Sequence, residues 1–504
     1  MAGWMERLKE VFGRRDLKSA TYTLRGQVLL CAGILMTACA EQTYQRPAVD
    51  VPSEWLQASP PQGVVAGAAD GQAWWYRFGD ANLNTFIEQV LQRNNDLAVA
   101  ALNVRRAQLL AERAGDPLIY GAESELQKVH SRRLDDRTWE RSDSSTTQLR
   151  ASFTLDLWGR LDQERNMASW ALAASQADRE TVYLNVIGTT ADLYWRLAYY
   201  NQRVASAEKS LETAVRTQRL INAQSVAGAA SGLEKREAEQ TVLTQRSSLA
   251  QLRQSQIETR NAFATLFNTA PDKQEMELIL ASEPDQLPSG PLPEIQEGLP
   301  SSLLSRRPDL RAAEFNLRAS LANIDVVRSS FYPTLALTGA LGNSSSSLSR
   351  LLANPVATLG TGLTLPFLDV KSMKTDTAVA GLAYQKAVVE FRSALYNAYR
   401  DVENALSAKR QLSEQAVLQA QNLVAAREAE RLYAIRYRAG AVALRLWLDA
   451  QERLREAELQ QAQVRLNQLQ NLNTLYQALG GGGDLTTLEK LSQVSSADGL
   501  SPHP

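Results

Sequence analysis

The side chains that could carry catalysis are few and scattered. Among 504 residues there are two histidines, His130 and His503, and two cysteines, Cys31 and Cys39. A His/Cys metal site therefore has no ligand set to draw on. No Gly-x-x-x-x-Gly-Lys loop, Gly-x-Ser-x-Gly elbow or His-Glu-x-x-His helix occurs, and no polar constellation marks an enzyme, so neither cofactor nor metal is expected. Basic residues (54) and acidic residues (55) nearly balance, which leaves no basic field for nucleic acid. What does recur is a turn. From Arg436 to Glu452 the chain reads Arg-Tyr-Arg-Ala-Gly-Ala-Val-Ala-Leu-Arg-Leu-Trp-Leu-Asp-Ala-Gln-Glu, with Gly440 interrupting two helical stretches. Ser225 to Glu239 repeats the plan, and aligning Gly228 with Gly440 sets Glu237 against Asp449 and Ala238 against Ala450. Both turns are flanked by heptad-like helices, so the chain reads as one unit written twice.

The N-terminus reads as an address. Arg25 precedes the apolar run Val28–Met36, followed by Thr37-Ala38-Cys39. A basic residue, a short apolar core and small residues before a cut make a secretory signal that is too short to span as a helix. Small-small-Cys resembles a bacterial lipobox, with Met36 where leucine is usual, so Cys39 is the expected acylated first residue of the mature chain. Ala40 follows where aspartate would favour inner-membrane retention, which implies outer-membrane sorting. An ordinary signal with an incidental cysteine, a downstream true start, and a twin-arginine signal at Arg14-Arg15 remain alternatives.

The elements that position the two turns follow in chain order. Prolines 47, 52, 60 and 61 suggest an extended segment before the aromatic run Trp74-Trp75-Tyr76-Arg77-Phe78-Gly79-Asp80, where Asp80 is placed to cap a helix running to Ala114. Gln148 to Leu157 alternates without error: Leu149, Ala151, Phe153, Leu155 and Leu157 on one face, Gln148, Arg150, Ser152, Thr154 and Asp156 on the other. That is a strand of bilayer-crossing length. A less regular partner runs from Leu118 to Val129. Alternation returns over 334–341 and 359–367, so four strands form two hairpins. Four strands cannot close a barrel, and an open edge in lipid leaves backbone groups unsatisfied, so sister chains must supply the missing strands. The helical arm from Trp158 to Asn222 would be on the order of 100 Å long at ~1.5 Å per residue. Leu233 to Phe267 returns from the first turn. Val242, Leu249 and Phe263, like Leu459 and Leu466 or Leu472 and Leu479, keep the seven-residue spacing of helices that coil together.

Gly298 to Glu314, Gly-Leu-Pro-Ser-Ser-Leu-Leu-Ser-Arg-Arg-Pro-Asp-Leu-Arg-Ala-Ala-Glu, resembles the signature that opens the second repeat of the TolC-like outer-membrane factors, NodT/OprM lipoprotein branch. Supporting stretches are Trp74-Trp75 with Phe78-Gly79-Asp80, Leu155-Asp156-Leu157-Trp158-Gly159-Arg160, Phe331-Tyr332-Pro333 and Leu475–Gly480; Val370-Lys371 departs where the family has two glycines. The resemblance implies a mostly α protein with transmembrane β: a long coiled-coil helical barrel plus a β-barrel completed by a homotrimer, four strands per chain, in two internal repeats. The divisions expected are a signal peptide (1–38), a lipidated extended segment (39–80), the first repeat (81–280), a linker (281–300), the second repeat (301–480) and a tail (481–504). It further implies the outer-membrane exit channel of a three-part efflux pump, served by a periplasmic adaptor and a proton-driven inner-membrane transporter and anchored in outer-membrane lipid. A type I protein-secretion duct is the alternative within this class, and a periplasmic coiled-coil adaptor the alternative outside it. The family closes its channel at the periplasmic helix tips. On that basis Asp449, Arg436, Tyr437, Leu446, Trp447 and Glu237 are the candidate gate, with Leu446 where relatives commonly carry a second acid. Gly228 and Gly440 mark the adaptor-docking turns.

Overall fold

The computed structural model describes residues 44–57, 73–132, 139–272, 274, 277, 279–295, 300–345 and 355–481. Cys39, the signal segment and the tail after 481 lie outside them. The chain divides into two compact units, one built on Arg113–Ser169 and Arg318–Gln385 together with 44–47, the other on Ala48–Glu112, Trp170–Leu317 and the chain from Lys386.

The first unit is organised by a four-stranded antiparallel sheet in the order β1 (Leu118–Arg132), β2 (Trp139–Leu155), β3 (Thr334–Ser345), β4 (Pro355–Thr364). The register carries the alternation of each strand across the whole sheet. Leu155 pairs with Leu335 and Leu335 with Leu363; Phe153 pairs with Leu337 and Leu337 with Thr361; Leu149 pairs with Leu341. One face is thus a continuous apolar band whose leucines, apart from the half-buried Leu335, are exposed within the chain, Leu359 by 81%. The other face carries Gln148, Arg150, Ser152 and Thr154 beside Ala336, Thr338, Ala340 and Gly342. The outer edges of β1 and β4 have no partner strand among the described residues. The expected strands are all present, though β4 ends at Thr364 because Pro366–Leu368 forms a 3₁₀ turn. The Val370-Lys371 departure is accommodated there: Asp369 accepts from Ser372 N at 3.1 Å and Ser372 Oγ at 2.7 Å, capping the next helix. At the base of the hairpins Trp158 Nε1 donates to Pro333 O at 2.7 Å, and its ring packs on Tyr332.

The second unit is helical. Asp80 caps α1 (Ala81–Arg93) as expected, accepting from Asn82 N and Leu83 N. The single helix expected up to Ala114 is broken: Asn94 ends α1 and its side chain caps α2 (Asn95–Arg113), accepting from Asp96 N and Leu97 N. An asparagine offers the backbone an alternative partner, which apolar periodicity does not register. The long helices are α3 (Arg160–Val226) with α4 (Gly232–Leu266), and α6 (Val370–Arg438) with α7 (Leu444–Ala478); α5 (Pro308–Ser330) starts after a break at Arg307. The heptad residues Val242, Leu249, Phe263, Leu466 and Leu472 are buried. Trp74 and Trp75 are buried in the main core, where Trp74 stacks on Tyr476 at 4.8 Å. Trp55 packs on Tyr399, and Glu403 accepts from Leu56 N and Gln57 N, which ties the early extended segment down. No described helix is long and apolar enough to cross a membrane.

Candidate functional site: the two helix turns

The two turns are built alike, 212 residues apart. Gly228 and Gly440 sit at φ 76° and 73°, in the left-handed region that favours glycine. Gly228 N donates to Ser225 O and Ala229 N to Gln224 O, while Gly440 N donates to Tyr437 O and Ala441 N to Arg436 O. This pair of bonds is the Schellman closure, which satisfies carbonyls the helix end would leave bare. The far ends of the return helices keep the same spacing: Asn268 (φ 54°) ends α4 and Gly480 (φ 88°) ends α7. Nothing stands within 4 Å of a Cβ placed on Gly228 or Gly440, so both turns present open backbone.

Their side chains differ. After Gly228, Ser231 and Glu234 form a capping box: Glu234 N donates to Ser231 Oγ at 3.2 Å and Ser231 N to Glu234 Oε2 at 2.8 Å. This Ser-x-x-Glu spacing was available in the sequence and marks the start of α4. The matching positions after Gly440 are Ala443 and Leu446, and Ala443 offers no side-chain cap. Aromatic packing takes the place of the cap. Trp447 is buried and donates from Nε1 to Glu430 Oε1 at 2.9 Å; Tyr437 stacks on it at 5.2 Å between ring centroids. The Tyr437 hydroxyl reaches Gln224 Oε1 on α3 at 3.2 Å, joining the two helical hairpins at their turns. Burial pushes that hydroxyl above the usual tyrosine range, and the Glu234 carboxylate adds to the shift. Ile221, Ala238, Ala434 and Leu444 complete a small core beneath the turns.

The candidate residues therefore fall into two sets. Tyr437 and Trp447 are brought together and hold the turns. Asp449, Arg436 and Leu446 are exposed, and Glu237 is half-buried. No ion pair between Arg436 and Asp449 occurs within the chain. Gln224 and Glu430, each bonded to a gate candidate, were not visible as partners in the sequence, since each lies on a different helix from the residue it holds. Among the described residues no cluster could hold a metal ion.

The family model for outer membrane efflux proteins matches the chain twice, over residues 86–269 and 299–481. A pyoverdine export outer membrane protein, OpmQ of Pseudomonas putida, is 33% identical over 463 residues, covering 90% of this chain and 97% of that one. The toluene efflux pump outer membrane protein TtgC, from another strain of Pseudomonas putida, is 29% identical over 455 residues, covering 87% and 91%. Among solved structures the outer-membrane channel OprN superposes with a TM-score of 0.76 at 25% identity, covering 88% of this chain and 99% of that one. The family match over both halves of the chain sets aside the coiled-coil adaptor alternative. With a sheet of transmembrane pattern, two long helical hairpins and matches along both halves, the chain belongs to the outer membrane efflux protein family and has its channel fold.

Proposed function

We propose that three copies of this chain form the exit duct of a three-part efflux pump, carrying small toxic molecules from an inner-membrane transporter and a periplasmic adaptor across the outer membrane. The observation that carries this reading is the sheet: four strands with one continuous apolar face and two unpaired edges. Such a sheet is stable in lipid only when its edges meet those of sister chains. Eight strands leave an interior that side chains nearly fill, whereas twelve leave a passage. Cys39 supplies a lipid anchor in the same membrane.

The duct is closed at rest by the helix turns. Tyr437 and Trp447 set the shape of the second turn, and the exposed Arg436 and Asp449 are free to pair between chains. An exposed pair of this kind contributes ~0–1 kcal/mol, enough to bias the closed state without locking it. Leu446 adds apolar surface in place of a second acid, and Glu237 offers the matching carboxylate on the first turn. An adaptor that docks on the open backbone at Gly228 and Gly440 draws the turns apart by binding the open state better than the closed one. The test is conductance in planar bilayers. Asp449→Ala is expected to raise single-channel conductance above that of the wild type, and an unchanged, nearly closed channel removes Asp449 from the gate.

A further inference from the structure

The polar face of the sheet is unevenly charged. On β3 and β4 the residues facing that side are uncharged: Ala336, Thr338, Ala340 and Gly342 on β3, Val356, Thr358, Gly360, Gly362 and Thr364 on β4. The charges come from the first hairpin. Arg150 Nε lies 3.4 Å from Glu123 Oε2, two residues off direct register and so its diagonal neighbour on the same face. With its amide oxygen turned toward the guanidinium, Gln148 accepts from Arg150 Nη2 at 2.7 Å and Nε at 3.1 Å. Glu125 lies next along the same face, opposite Thr146. The neighbouring strand makes room for the cluster. A Cβ on Gly342 would stand 2.2 Å from Thr147 O and 2.6 Å from Gln148 Cα, so β3 can lie this close only as glycine, and the residue opposite Arg150 is the small Ala340.

We infer that Glu123, Arg150 and Gln148, together with Glu125, form a charge filter in the lumen of the barrel that favours cations over anions. The inference rests on the barrel proposed above, in which the apolar face meets lipid and this face lines the passage. Arg150 is offset by Glu123 and further held by Gln148, which leaves the Glu125 carboxylate as the net charge of the cluster in each chain. Threefold repetition sets three such clusters at one height, separated by the small-residue hairpins, and low-dielectric walls focus the resulting field. The filter is distinct from the helix turns, so it discriminates among solutes that a gate has already admitted.

Ser152→Cys places a reporter thiol on this face, one step from Arg150, and Thr154→Cys gives a second reporter further along. Each is made in the full chain, purified in detergent, and treated with a trimethylammonium and a sulfonate methanethiosulfonate reagent. Rates are normalised to those of free cysteine. The cationic reagent is expected to react faster. Adding Glu125→Gln should bring the ratio toward one, while Arg150→Gln should raise it by about threefold, the scale expected for removing a nearby like charge in screened water. Ratios that ignore both charge changes overturn the filter and leave the barrel intact. Failure of both thiols to react with either reagent overturns the barrel reading itself.

Discussion

At the residue scale, two buried polar contacts set clear expectations. Trp447 combines a stack on Tyr437 with a hydrogen bond to Glu430. Trp447→Ala should cost about 3–5 kcal/mol locally, as buried Trp→Ala changes do, and open the second turn to protease. Trp447→Phe keeps the stack and should cost about 1 kcal/mol for the lost bond. Limited proteolysis of the three proteins, with the cut sites mapped, checks the order. The second contact lies in the main helical unit. Asn473 is fully buried, and its Nδ2 donates to Gly188 O and to Asp192 Oδ1, each at 2.8 Å. Burial pushes the Asp192 carboxyl above its ordinary value of 3.8, opposed by the Asn473 bond and Arg196. The native state therefore holds that proton more tightly than the unfolded chain. Its contribution to stability is full below the ordinary value and is lost as pH rises through the raised one, so at neutral pH the charge is a penalty. Asp192→Asn keeps the acceptor and removes the charge. It should melt no lower than wild type at pH 7, and the advantage should vanish on acidification below about 4, which thermal melts at the two pH values would show.

At the element scale, equivalent glycines differ in what surrounds them. Gly440→Ala meets open space and should cost about 1 kcal/mol for the left-handed backbone alone. Gly480→Ala carries the same backbone cost, and its Cβ would stand 2.7 Å from the Arg306 carbonyl, so it should lower the melting temperature further. Comparing the two melts tests the distinction. Much at this scale was legible in the sequence. Period-two alternation at Leu149, Phe153 and Leu155 identifies β2 because a half-buried or lipid-facing strand has no other way to sort its side chains. The glycine turns stood out because each interrupts an otherwise continuous helical pattern. The break at Asn94 did not, since it rests on an asparagine side chain bonding backbone amides within a helical composition. The Tyr437–Gln224 bond was illegible for a different reason: its partners are 213 residues apart and meet only once both hairpins are folded.

At the scale of the whole molecule, the sheet is tested through its two faces. Leu359 lies in the apolar band of β4, and Thr358 beside it points the other way. An arginine facing lipid near the bilayer midplane costs about 2–4 kcal/mol, so Leu359→Arg should reduce insertion and the heat-resistant oligomer on gels. Thr358→Arg should leave both nearly unchanged. The unequal finish of the two turns carries a final consequence. One is closed by a self-contained serine–glutamate cap, the other by an aromatic pair that leans on the neighbouring hairpin. In the threefold assembly proposed above each finish would recur three times, giving six turns of two kinds. A ring of six identical subunits seated there would make two different fits, so its members would be chemically identical yet inequivalent once bound.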